Sequence, residues 1–95
     1  MDWKTAKKRL IEADPQLQVE LDKLDLKYKV LCQIIELRKS HKITQLELAE
    51  RINDRQSNIA RLENGNANPS IEKLQKIAEA LDSNLEIRFI PKASH

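Results

Sequence analysis

Aromatic side chains are almost missing: one Trp, one Tyr and one Phe in 95 residues. Any buried core must therefore be built from Leu, Ile, Val and Ala. There is also one glycine, three prolines and one cysteine. So little Gly and Pro, with 40% apolar and 34% charged residues, fits a compact helix-rich domain rather than a disordered chain. It also excludes a glycine loop that cradles phosphate. A lone Cys32 allows no internal disulfide and suits a reducing, cytoplasmic setting. Long apolar runs are absent too, because Val30-Leu31-Cys32 and Ile34-Ile35 are cut by Gln33 and Glu36. Neither a membrane span nor a signal peptide is expected.

Catalytic groupings are also missing. His41 and His95 lie far apart, so no paired metal-ligand spacing exists, and no metal or cofactor is expected. Cys32 sits in an apolar helical stretch and reads as a core residue, and Glu47 with Glu50 reads as a solvated face. The chain does not read as an enzyme.

Charge of one sign is scarce overall, with a net charge of +2, but it is unevenly spread. Residues 1–13 carry Lys4, Lys7, Lys8 and Arg9 against Asp2 and Glu12. Residues 14–25 reverse this, with Asp14, Glu20, Asp22 and Asp25 against Lys23. Residues 40–82 hold six basic and seven acidic side chains. Bulk charge does not announce a nucleic-acid partner, so any such binding depends on charges sorted onto one face.

What is present is helical periodicity. Trp3, Ala6, Leu10 and Ile11 share one helix face, and Asp14-Pro15 reads as the cap and first position of a second helix. Leu17, Leu21 and Leu24 form its stripe. A helix over about 26–39 turns Tyr28, Leu31, Ile34 and Ile35 inward, and the 25–26 junction is open between a break and a bend. Thr44 with Glu47 makes a capping box for a short helix ending near Asn53. The next helix runs over about 55–64, and Gly65 falls where a helix end requires positive φ. Ser70 caps a last helix carrying Ile71, Leu74, Ile77, Ala78 and Leu81. Beyond it Leu85, Ile87 and Phe89 alternate with Glu86 and Arg88, which predicts a short β-strand.

The stretch RINDRQSNIARLENG is peculiar in having few apolar anchors and many hydrogen-bonding groups. At 100° per residue Ile59, Leu62 and Glu63 point to one side. Ser57, Ala60, Arg61 and Asn64 point to the other, flanked by Gln56 and Asn58. Amides, hydroxyls and guanidinium on one helix are the groups that read base edges in a major groove. A solvated surface face is the plain alternative. Two short helices joined by a tight turn favour the helix-turn-helix geometry.

The run TQLELAERINDRQSNIARLENGNANPSIEKLQKIAEAL resembles the Cro and phage-repressor (XRE) type of helix-turn-helix domain. The resemblance covers about half of the chain, and implies an all-α fold. It divides the chain into an N-terminal helical extension over 1–28, a five-helix-type domain over 29–82 and a strand and tail over 83–95. It further implies a phosphate contact by Gln45, base reading by Gln56, Ser57 and Arg61, and backbone contacts near Asn64 and Asn66. Arg38 and Glu63 occupy positions where relatives bury an ion pair. The chain departs from the pattern at Asn53, Asp54 and Arg55. Asp54 is expected to cap the helix one residue early, freeing Arg55 for a phosphate or a base; Asn58 completes the candidate DNA-binding set.

The extension, with NLEIRFIPK at the other end, resembles the HigA-type antitoxins, which neutralise a RelE/HigB-like messenger-RNA endoribonuclease and repress their own operon. Trp3, Leu10, Ile11, Leu17, Leu21 and Leu24 are the candidate toxin contacts, unless the extension merely packs on its own domain. Its acidic part would suit a basic partner. The backbone of Leu85, Ile87 and Phe89 lacks a ladder partner, and pairing with a second copy would supply one. That homodimer would match a palindromic double-stranded operator. Toxin addition to the strand is an alternative. A stand-alone repressor, or an interaction module without DNA binding, are the other functions considered.

Overall fold

Helices α1, α3 and α5 each begin where a short polar side chain satisfies a free backbone N–H. Asp2 accepts from the Thr5 N–H and opens α1 (Trp3–Ala13). Asp14 accepts from the Gln16 N–H, and a 3₁₀ turn over Pro15–Leu17 leads into α2 (Gln18–Ser40). The capping box is complete: the Glu47 N–H reaches the Thr44 hydroxyl at 3.1 Å, and the Thr44 N–H reaches the Glu47 carboxylate at 3.2 Å. It opens α3 (Gln45–Arg51), which α4 (Gln56–Glu63) follows across a turn. Ser70 accepts from the Lys73 N–H and opens α5 (Ile71–Ala80). This computed structural model describes residues 2–93, so His95 lies outside the described residues.

The core gathers Leu31 and Ile34 from α2, Leu48 and Ala49 from α3, Ile59 and Leu62 from α4, Ile77 from α5, and Ile43 and Leu81. Leu48, Ile59, Leu62 and Leu81 are fully enclosed. Burying each such side chain contributes roughly 1.5–3 kcal/mol. Aliphatic residues alone fill this centre.

Two sequence expectations are corrected. The junction at 25–26 is not a break, since α2 runs 23 residues without interruption, about 35 Å of helix. It crosses the 28–29 boundary and joins the extension to the domain. No β-strand forms among the described residues. Residues 84–93 are exposed and irregular, and Phe89 is 98% exposed. A strand needs a neighbour for its N–H and C=O groups, and a single chain offers none here.

α1 folds back antiparallel on α2. The Trp3 indole stacks on Tyr28 with ring centroids 4.2 Å apart and donates from Nε1 to Asp25 at 2.9 Å. Lys7 bridges Asp22 and Asp25 at 2.5 and 2.7 Å. These bonds raise the Lys7 pKa above its ordinary value, through Asp22 first, and hold Asp25 below the usual carboxylate range, through Lys7 first.

Candidate nucleic-acid interface

Helix α4 is set by its buried side. Ile59 and Leu62 enter the core, while Glu63 forms a two-pronged pair with Arg38 of α2. Arg38 Nε donates to Glu63 Oε2 and a terminal nitrogen donates to Oε1, both at 2.8 Å. The side chains are only 11% and 5% exposed. Arg38 also donates to the Ile43 carbonyl at 2.9 Å, which ties the end of α2 to the entrance of α3. The Glu63 carboxylate raises the Arg38 pKa further above its ordinary value. Such a pair orients helices more than it adds net stability, because desolvation offsets much of the attraction.

Gln45 joins the same network, its Nε2 donating to Glu63 Oε1 at 3.0 Å. Its amide N–H₂ is thus engaged inside the protein, and the carbonyl oxygen cannot donate to a phosphate. The structure therefore places Gln45 as a brace between α3 and α4. A phosphate contact by its amide requires release from Glu63 or use of its second N–H.

The turn between α3 and α4 differs from the expectation at Asp54. Helix α4 starts at Gln56 with Arg55 at the cap position, so Asp54 does not begin it early. Asp54 instead accepts from the Arg55 N–H and the Asn58 amide, each at 2.7 Å, and pairs with Lys73 of α5 at 2.8 Å. Three donors converge on one carboxylate and lower its pKa to about 2, Lys73 being the largest cause. Asn58 is half-buried and gives one amide hydrogen to Asp54, which leaves its second N–H and its carbonyl oxygen.

What remains outward is coherent. Gln56, Ser57 and Arg61 are exposed on α4, with Arg55 at its start and Asn64 and Asn66 just past its end. Among the described residues neither the Arg55 nor the Arg61 guanidinium meets a carboxylate. Gly65 turns the chain at φ +81, so the Gly65 N–H reaches the Leu62 carbonyl and the Asn66 N–H reaches that of Arg61. The chemistry of this face is donation and acceptance on a convex rod. That suits a groove rather than a small ligand. An open cleft of about 270 Å³ lies beside Asp54 and Lys73, and no cluster of metal-ligating residues exists among the described residues. His41 lies against Ser40 and the Leu37 carbonyl.

The family description for helix-turn-helix domains matches residues 34–87. The chain belongs to the helix-turn-helix family. Within it the match is to the Cro and phage-repressor (XRE) type, a DNA-binding and non-enzymatic class. Among curated relatives, Antitoxin HigA1 of Mycobacterium tuberculosis is 31% identical over 77 residues, covering 81% of this chain and 52% of that protein. The chain thus spans about half the length of those relatives. An HTH-type transcriptional regulator of Archaeoglobus fulgidus is 40% identical over 58 residues, covering 61% of this chain and 82% of that protein. No solved structure matches.

The remaining sequence candidates fall in two places. Leu21 is buried, and Trp3, Ile11, Leu17 and Leu24 are half-buried in the α1–α2 hairpin, whereas Leu10 is exposed. Val19 and Leu26 are exposed on the outer side of α2, Leu26 by 74%, and neither stood out from the sequence. They lie seven residues apart, two helical turns, which marks one face once α2 is read as continuous. Leu85, Ile87 and Phe89 lie in the irregular C-terminal segment. No helix among the described residues is long and apolar enough to cross a membrane.

Proposed function

We propose that this chain is an antitoxin that represses its own operon as a homodimer and neutralises a RelE/HigB-like messenger-RNA endoribonuclease. The observation that carries the DNA half is the outward face of α4, where Gln56, Ser57 and Arg61 are exposed while Asn58 is tied to Asp54 and Glu63 to Arg38. Arg61 suits guanine and Gln56 suits adenine, with Ser57 able to serve either base. Arg55, Asn64 and Asn66 flank this reading face as phosphate contacts. Gln45 is the secondary backbone contact, through its second amide hydrogen.

The toxin half is supported by the HigA1 relatives, whose similarity extends over 81% of this chain. Leu10, Val19 and Leu26 are apolar side chains left outside the hairpin. They, rather than the inward stripe of Leu17, Leu21 and Leu24, are the surface a toxin would bury. Trp3 and Ile11 support that surface from within. Dimerisation uses Leu85, Ile87 and Phe89, whose backbone gains a ladder when the same segment of a second copy pairs antiparallel.

A stand-alone repressor is the second reading, favoured by the regulator relative whose match covers 82% of its own length. Tagged expression with the products of neighbouring genes separates the two. A stoichiometric complex with a small basic protein that is toxic alone supports the antitoxin. A homodimer that captures no neighbour leaves the plain repressor.

A further inference from the structure

The N-terminal hairpin touches the DNA-binding domain at one informative point. Tyr28 lies on the face of α2 that turns toward the end of α4. A methyl group on Gly65 would meet the Tyr28 hydroxyl at 3.4 Å and its ring carbons at 3.6 Å, so the phenol is seated directly against the Gly65 backbone. The same ring stacks on the Trp3 indole, nearly parallel at 15° and 4.2 Å away. Trp3 is itself fixed by its bond to Asp25, which Lys7 also grips at 2.7 Å. A continuous chain of contacts thus runs from α1 through two stacked rings to the turn between Asn64 and Asn66.

Backbone bonds from Asn64, Gly65 and Asn66 back into α4 close that turn. Asn64 and Asn66 are exposed, and their backbone N–H groups bond within the helix end, to Ala60 and Arg61. Its glycine has no side chain of its own to pack, so the contact must come from a neighbour. The nearest side chain against it is Tyr28.

We propose that Tyr28, clamped by Trp3, is a positioning residue for the 64–66 turn, so that docking of α1 sets how well this chain grips the DNA backbone. The inference rests on the operator-binding reading above. Loss of the clamp frees a turn that contacts phosphates, not bases. Affinity then falls on every sequence while the base preference carried by Gln56 and Arg61 stays the same. Binding linkage makes the effect reciprocal: a protein that grips or displaces α1 changes DNA affinity, and DNA changes the affinity for that protein by the same factor.

The test uses the full chain, a duplex that the wild type selects from a random-sequence pool, and an unrelated duplex of equal length. Trp3→Ala is expected to weaken both by roughly fivefold or more, the scale of ordinary site-to-site coupling. Its base preference should not change, and Trp3→Phe, which keeps a stacking ring, should restore most of the loss. Trp3 is the only tryptophan, so its emission in the wild type should change when either duplex is added, whatever the variants do. Trp3→Ala binding both duplexes like wild type overturns the proposal. So does a loss confined to the selected duplex, or an indole emission indifferent to DNA. A wild-type chain that selects no duplex overturns the operator-binding reading and this inference with it.

Discussion

Four successive helices end on a residue with positive φ: Lys42 at 55, Asn53 at 56, Gly65 at 81 and Asp82 at 53. In each the following N–H bonds back five residues, as from Asp54 to Ala49 and from Asn66 to Arg61. Only one of the four is glycine, the residue without a steric cost there. Gly65→Ala should therefore destabilise the chain by about 1–2 kcal/mol in a denaturant titration, while Lys42→Gly should be neutral or stabilise it by up to about 1 kcal/mol. Equal effects of the same sign would contradict this reading. Asp54 supplies a pH test. Its carboxyl sits at about 2 in the folded chain against an ordinary 3.8. Its stabilisation is therefore full above 3.8 and lost as pH falls toward 2. The stability gap between wild type and Asp54→Asn should narrow over that window; a gap that stays constant there would show that Asp54 contributes nothing through its charge.

At the level of elements, α4 depends on the Arg38–Glu63 pair for its angle as well as on Ile59 and Leu62 for its docking. Arg38→Ala strands a carboxylate that is 5% exposed and should cost about 3 kcal/mol. Arg38→Met with Glu63→Leu should recover much of this loss, because two apolar side chains need no desolvation. Thermal or denaturant unfolding of the single and double variants checks the difference. The helices themselves were legible because their signals are local: Thr44 with Glu47, Ser70 before Ile71, and Gly65 after Glu63. The continuity of α2 was also present in the spacing, since Leu17, Leu21, Leu24, Tyr28 and Leu31 recur at intervals of four and three across the junction. The role of Asp54 is not legible locally, because one of its partners, Lys73, comes from a helix remote in sequence. The alternation of Leu85, Ile87 and Phe89 reports a capacity to pair, but a strand exists only beside a partner.

For the whole molecule, the aliphatic domain, the α1–α2 hairpin and the exposed C-terminal segment divide the labour of one regulator. In the proposed function, DNA lies against α4, the hairpin offers Leu10, Val19 and Leu26 to a protein, and the terminal segment joins two copies. Ile87→Asp with Phe89→Asp should convert a dimer into monomers by sedimentation, and weaken operator binding with it; a dimer that persists would remove this segment from the interface. Removing residues 2–13 should abolish toxin capture and also lower DNA affinity, because Trp3 leaves with α1. The most direct measurement is the base preference of wild type and Arg61→Ala on duplexes drawn from a random pool. The wild type should select a two-fold symmetric site with half-sites about 34 Å apart. Arg61→Ala should lose about 1–3 kcal/mol on that site and relax preference at one base step in each half. An Arg61→Ala chain with the affinity and base preference of the wild type would contradict the assignment of α4 as the helix that reads DNA.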